Sequence, residues 1–345
     1  MERGWKESTI ADVGRLAEVS VATVSAVING TKMVSPRRAQ KVREAMKSLD
    51  YHADQNARSL RTGKTKVVGV IVPDITSPFY TQVIAAAEEV ASSAGYSFFF
   101  CNSNDDSDQE RRHLDLLFSH RVAGVLIAPC DSSMAYDQLI RRRFPLVFFG
   151  RIPLGFHGTS VETDNLLAAL LATRHLIELG HRSIAILAGD IRRSTHARRL
   201  EGFRRAMLEA GLQGRDEYCG LTGLTVQAGY QFSLGLFQSP QVPTAVFCTS
   251  NNLLLGCFRA LDCVGLRCPD NVSIVGFDDF PWNESFRPAI TTVAQPTVAM
   301  GTKAMEMLLE RIASGGKVEE RPDQSVVLQP ELRLRNSTAP PSPMR

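Results

Sequence analysis

The chain has 345 residues, 44% hydrophobic and 22% charged, which at about 150 residues per domain allows two or three folded units and excludes a largely disordered protein. No run approaches the ~20 consecutive apolar residues of a membrane span. The charged stretch 1–8 does not read as an export signal, so a cytoplasmic protein without a membrane partner is expected.

The net charge of +3 conceals an asymmetry: residues 1–66 carry 13 Lys/Arg against 7 Asp/Glu, while 67–345 carry 26 against 29. A basic head before a near-neutral body points to a polyanionic partner, of which nucleic acid is the commonest. From Thr9 the head reads TIADVGRLAEVSVATVSAVING. Ile10, Val13, Leu16 and Ala17 fall at helical spacing, and after a short break Val24, Val27 and Ile28 share one face of a second helix. Ser20 stands where an N-cap belongs, and Asn29-Gly30 forms a C-terminal stop. Ser35-Pro36 opens a third helix to about Leu49, since proline suits a first turn and Val42, Ala45, Met46 and Leu49 keep an apolar stripe. The pattern is a three-helix helix-turn-helix over residues 1–52. Residues 53–66, with Arg58, Arg61, Lys64 and Lys66, read either as a plain linker or as a segment that folds only on binding. Gly63-Lys64-Thr65 is no phosphate loop, because Arg58 occupies the place of its first glycine.

Beyond Lys66 come apolar runs separated by helical stretches: 67–72, 98–100, 125–127, 146–149, 184–187, 245–247 and 273–275. Continuous rather than alternating hydrophobicity marks strands buried on both faces, hence parallel sheets covered by helices such as 79–94 and 166–179. Such sheets bind ligands beyond the carboxyl ends of their strands. The seven cysteines form no C-x-x-C pair and mostly sit in apolar runs, as reduced core thiols do.

Asp12-Val13, Leu16-Ala17, Val19-Ser20, Thr23-Val24-Ser25, Asn29-Gly30 and Ala57-Arg58-Ser59-Leu60 together resemble the head and hinge of the LacI/GalR family of bacterial regulators. The resemblance implies a second helix that enters the major groove of double-stranded DNA, and a hinge helix that folds on the DNA and wedges a leucine into the minor groove. It places phosphate contacts at Ser20, Thr23, Ser25 and Asn29, base-edge positions at Val21, Ala22 and Ala26, and hinge contacts at Arg58, Ser59 and the wedge Leu60. The departures are Ala26 where arginine is usual, Glu18 for a turn glycine, Gly14 for an alanine, and Ala53-Asp54 for Pro-Asn. Without bidentate side chains the helix offers apolar contact and shape, so weaker discrimination per base is expected.

The resemblance extends through VPDITSPFY (72–80), IAPC (127–130), TDN (163–165), LAGD (187–190), STHARRLEGF (194–203), FCTSNN (247–252) and VGFDDF (275–280). It implies an α/β body like the type I periplasmic binding proteins, with two parallel-sheet subdomains and three crossovers over 67–338. One subdomain is expected at about 67–162 plus 293–322, the other at 163–292 plus 323–338, with a disordered tail at 339–345. Carried over for a small effector are Phe79 as an apolar wall, Arg193, Thr195 and Arg199 as a polar clamp, and Asn251 as a hydroxyl partner. Ser77, Arg151 and Asp278 join them. Structural roles compete: Arg199 as a salt bridge at a helix start, the Pro-Phe pair as packing, Asp278-Asp279 as a turn cap. Asn251 stands where sugar-responsive relatives carry aspartate, and Arg192-Arg193 and Arg198-Arg199 add guanidiniums, which favours an anionic sugar derivative.

No G-x-S-x-G, H-E-x-x-H or G-x-G-x-x-G occurs, and the seven histidines give no metal-ligand spacing, so neither catalytic nor metal residues nor a cofactor are expected. The resemblance implies a homodimeric repressor of a pseudo-palindromic operator, controlled by its effector. No leucine-heptad extension follows Arg335 to support a tetramer. The competing classes are a solute-binding protein, which would have no use for the head, and an architectural DNA-binding protein indifferent to ligand.

Overall fold

The computed structural model describes residues 8–29, 32–51, 65–130, 136, 139, 144–153, 158–315 and 324–342. Two units divide the chain, Met1–Thr65 and Lys66–Arg345. The first is the expected three-helix head. Helix α1 (Ile10–Leu16) begins with a capping box, in which Thr9 accepts from the Asp12 amide and Asp12 accepts from the Thr9 amide. Helix α2 (Val21–Asn29) follows at once, with Ser20 Oγ accepting from the Thr23 amide at 3.2 Å. Helix α3 (Pro36–Ser48) starts on its proline. Val13, Ala17, Val24, Val42 and Ala45 meet at the centre. The turn between α1 and α2 holds Glu18 at φ 55°, the left-handed conformation that suits glycine. Residues 53–64 of the expected hinge, with Arg58, Ser59 and Leu60, lie outside the described residues.

Among the described residues the body contains two six-stranded sheets. Its strands are β1 (Val67–Val72), β2 (Ser97–Asn102), β3 (Gly124–Ile127), β4 (Leu146–Phe149), β5 (Ser160–Thr163), β6 (Ile184–Leu187), β7 (Cys219–Gly220), β8 (Ala245–Cys248), β9 (Ser273–Phe277), β10 (Thr291–Ala294), β11 (Ser325–Leu328) and β12 (Glu331–Arg333). The first sheet runs β11-β5-β4-β3-β1-β2, all parallel, and the second β12-β10-β9-β8-β6-β7, parallel except for β12. Helices α4 (Pro78–Ser93) and α10 (Thr297–Ala313) cover one face of the first sheet, and α5 (Ser107–Ser119) the other. Gly301 lets α4 and α10 touch, since a Cβ there would lie 2.0 Å from the Val83 carbonyl oxygen. The second sheet lies between α6 (Asn165–Glu178) and α7 (Ser194–Glu209) on one face and α8 (Val226–Phe237) and α9 (Asn251–Val264) on the other.

The chain crosses between the sheets after β5, after β10 and after β11. Two expected boundaries are corrected by this topology. β10, taken from residue 293 as part of the first subdomain, pairs with β9 in the second, and the chain leaves that sheet only at Gln295-Pro296. β11 pairs with β5 in the first sheet rather than the second, because Val326 and Leu328 pack on the first core. The tail is corrected as well. The Ala339 amide donates to Ser273 Oγ at 3.0 Å, its carbonyl meets His181 Nε2 at 2.9 Å, and Ser342 Oγ donates to the Asp270 carbonyl, so 339–342 are tied to the second subdomain.

Candidate functional site

The carboxyl ends of both sheets face a cavity of about 680 Å³, within the range of small-molecule sites. Ser77, Phe79, Arg151, Arg193, Thr195, Arg199, Asn251 and Asp278 all line it. Ser77 and Phe79 arrive at the start of α4, where Pro78 occupies the first turn. Phe79 packs edge-on to Tyr80 with ring centres 5.0 Å apart, and Tyr80 meets Phe149 in the same way. Gly150 follows β4 at φ 69°, a conformation that favours glycine, and a Cβ there would lie 3.1 Å from the Phe79 ring and press on it.

Arg199, one turn into α7, is the deepest charge in the wall. Its Nε donates to Asn165 Oδ1 at 2.8 Å, its Nη1 to the Thr249 carbonyl at 2.7 Å, and its plane lies 3.5 Å from the centre of the Phe277 ring. Burial lowers its pKa to about 10, against the restoring charges of Asp278 and Tyr80. The guanidinium is therefore charged at neutral pH. No carboxylate pairs with it directly among the described residues, and its fixed position leaves it facing the cavity. Asp278 stands opposite in the loop after β9, at φ 70°, with Oδ1 accepting from Gln295 Nε2 at 2.6 Å. Burial raises its pKa, while the Arg199 charge and the Gln295 hydrogen bond oppose the rise. His196 is neutral, its pKa driven well down by burial and by the charges of Arg199, Arg151 and Arg193.

Among the described residues, two polar atoms on the wall are buried without a hydrogen-bond partner, Asn251 Oδ1 and Arg193 Nη1. One accepts and the other donates, so a ligand bearing hydroxyl groups, which do both, satisfies each.

The guanidinium charge expected at the lip is not free. Arg192 pairs with Asp190 at 2.7 Å and Arg198 with Glu201 at 3.1 Å, both exposed. Arg151 donates to Asp105 Oδ1 at 2.8 Å, and Arg193 holds the other oxygen of the same carboxylate. Burial pushes the Asp105 carboxyl up, but the Arg193 hydrogen bond and both arginine charges outweigh it and leave its pKa lowered. Asp105, Asp190, Tyr80 and Gln295 belong to the cavity, although the sequence did not single them out. A carboxylate in the acid-rich loop after β2 would have been the one available signal.

On the head, Val21 is 46% exposed and Ala22 is exposed, as base-edge positions require. Ala26 is a correction, because it is only 8% exposed and its methyl, being buried, offers no surface to a base edge. Ser20 and Thr23 share a hydrogen bond of 2.9 Å at the exposed start of α2, and Ser25 is half-buried. The side chain of Asn29 lies outside the described residues.

A family model for bacterial regulatory proteins of the lacI family matches residues 9–54, and one for a periplasmic binding protein-like domain matches 173–338. Over 331 residues the chain is 34% identical to the HTH-type transcriptional repressor PurR of Actinobacillus pleuropneumoniae serotype 3 (strain JL03), covering 96% of this chain and 98% of that protein. The chain belongs to the LacI family. Among solved LacI-family relatives, the lac repressor dimer bound to operator and the anti-inducer ONPF superposes with a TM-score of 0.86 at 25% identity, over 97% of this chain and 100% of that one. The transcriptional regulator CelR in complex with cellobiose gives 0.72 at 30% identity, over 96% and 100%. This LacI-family chain is thus a transcriptional repressor with a helix-turn-helix DNA-binding head and a periplasmic-binding-protein-like body. Among the described residues no helix is long and apolar enough to cross a membrane.

Proposed function

We propose that this repressor binds a pseudo-palindromic operator as a homodimer, with α2 in the major groove and Leu60 wedged into the minor groove, and that a sugar-class effector in the cleft controls the affinity. The observation that carries the effector reading is the convergence of all eight expected residues on one cavity, with an orphaned acceptor and an orphaned donor in its wall. The relative solved in complex with cellobiose shares the fold over nearly the whole chain. The start of α2, where Ser20, Val21 and Ala22 are exposed and Thr23 is half-buried, supports the DNA reading. The activity is binding, with no catalysed reaction and no cofactor.

Effector binding alters the closure of the two subdomains and, through the hinges, the spacing of the heads. A coupling of about 1–3 kcal/mol changes operator affinity roughly 5- to 150-fold. The test is selection of genomic fragments by the purified protein at fixed moderate salt, followed by operator titration with and without each of a panel of sugars. A recovered two-fold symmetric site whose affinity shifts at least fivefold with one sugar is the expected result. A protein that binds DNA identically in the presence of every sugar is an architectural protein instead, and one that binds sugar but no DNA fragment is a solute-binding protein.

A further inference from the structure

The proposed effector cleft has two walls, and one side chain joins them. Asp105 follows β2 in the first subdomain, Arg151 follows β4 in the same subdomain, and Arg193 caps α7 in the second. The carboxylate of Asp105 accepts from Arg151 on one oxygen and from Arg193 on the other. Ser194 Oγ, next to Arg193, donates across the same gap to the Ile152 carbonyl at 2.9 Å.

The loop that presents Asp105 is built for the purpose. Asn104 and Asp105 both take left-handed backbone conformations, φ 50° and 60°, which cost energy for residues other than glycine. The loop is pinned on each side. The Ser103 amide donates to the Val72 carbonyl at 2.8 Å, Asn104 Oδ1 accepts from Asn102 Nδ2 at 2.7 Å, and Asp106 caps α5 by accepting from the Asp108 and Gln109 amides. On the other wall, Arg193 places a cation at the positive end of a helix dipole, an unfavourable position unless an anion compensates it. The three side chains are 12 to 28% exposed, so the contact is only partly screened by solvent.

We propose that Asp105 is a resident counter-anion that latches the cleft by joining Arg151 of the first subdomain to Arg193 of the second, and that it makes the site reject ligands carrying a negative group. The inference deepens the effector reading and rests on it. An anionic ligand must displace Asp105 or share two guanidiniums with it, whereas a neutral hydroxylated ligand meets Arg193 Nη1 and Asn251 Oδ1 with the latch in place. The anionic sugar derivative suggested by the count of lip arginines is disfavoured on this account.

Asp105→Asn keeps the shape and removes the charge. Hydrogen exchange measured without any sugar reports the latch. Amides of 103–106 and 190–195 should exchange at least threefold faster in D105N, and equally so in R193Q, with the double variant no faster than either. Unchanged rates in D105N, or fully additive rates in the double variant, overturn the latch. Inorganic sulfate is the anion probe. Calorimetry should show D105N binding sulfate at least tenfold more tightly than the unaltered protein, with the gain abolished in D105N/R193Q. Equal sulfate affinity in D105N and the unaltered protein overturns the exclusion of anions. Neither readout uses a sugar, so a latch that opens as stated in a protein that no sugar affects would sink the effector reading alone.

Discussion

The start of α2 and the wall of the cleft, the two recognition surfaces of the proposed function, both lie at the beginning of helices, yet they carry opposite chemistry. The helix shows Val21 and Ala22 to its partner, with Ser20 and Thr23 tied to each other at its cap. The cleft shows Arg199, Asp278, Arg193 and Asn251, each fixed in direction by a buried bond or left with one orphaned atom. Directional groups discriminate by leaving wrong ligands unpaired, while methyl groups discriminate weakly and depend on shape. On the proposed function, the body is where this protein would be chemically selective, and the head would rely on the shape and spacing of its DNA.

The contrast breaks most visibly at Arg199. Arg199→Ala leaves Asn165 Oδ1 and the Thr249 carbonyl without their charged donor and removes a nearby cation from Asp278; at roughly 1.5–3 kcal/mol for each hydrogen bond to a charged group, the body should lose about 3–6 kcal/mol. Denaturant unfolding of the body measures this, and sugar response should vanish while operator titration at saturating protein stays intact. A variant as stable as the original would show that the cleft charges carry no structural weight.

A second carboxylate sharpens the picture at the crossovers. Asp279 accepts from Thr292 Oγ1, Arg333 and Arg335 at 2.6 Å each, and its side chain is 5% exposed. Burial works against its charged form, but these hydrogen bonds outweigh burial and hold the pKa down at about 2. A depressed carboxyl stabilises the fold above its unfolded value and loses that contribution as pH falls from about 4 towards 2, here about 2 kcal/mol. Asp279→Asn should lower stability at pH 7 by that amount and flatten the acid limb, as read by urea midpoints at pH 7, 4 and 2.

On the head, Ala22→Gln would give α2 the kind of side chain the cleft already has. Bidentate contact to an adenine should add about 1–3 kcal/mol of discrimination at one base pair, seen as a newly sharpened position in a binding selection. An unchanged profile would mean that residue 22 does not face a base. The smallest effect concerns Glu18. Its positive φ is strained and its ion pair with Lys41 is exposed, so Glu18→Gly should stabilise the head by about 0.5–1 kcal/mol in thermal melts.

The same contrast governed how much could be read from the chain. Strands such as Val67–Val72 and Ser273–Phe277 announce themselves as continuous apolar runs. β5, β7 and β10–β12 are two to four residues long and mixed in polarity, so pairing rather than pattern defines them. Six of the eight cleft residues sit in the segments that carry the family resemblance, while Arg151 and Arg193 fall just outside them and came from the same carry-over. Asp105 was not legible, since NSNDDSD (102–108) has the composition of any solvated loop, and only the left-handed turn at 104–105 aims its carboxylate at Arg193. Ala26 failed for a different reason. Helical spacing gives the face a residue lies on, but not how far a methyl stands above its neighbours.

The strand order of the body has a consequence for the order of synthesis. The first sheet waits for β11 and the second for β12 and the segment through Ser342, which holds His181 and Ser273. A ribosome delivering the chain from its amino end releases the material of the head early, and α1 to α3 pack on one another by local contacts alone. Neither sheet of the body can close its last edge until β11 and β12, the last of the described strands, have been made. Nascent chains that stall before β11 would thus display a packed three-helix head on a body that has no completed sheet.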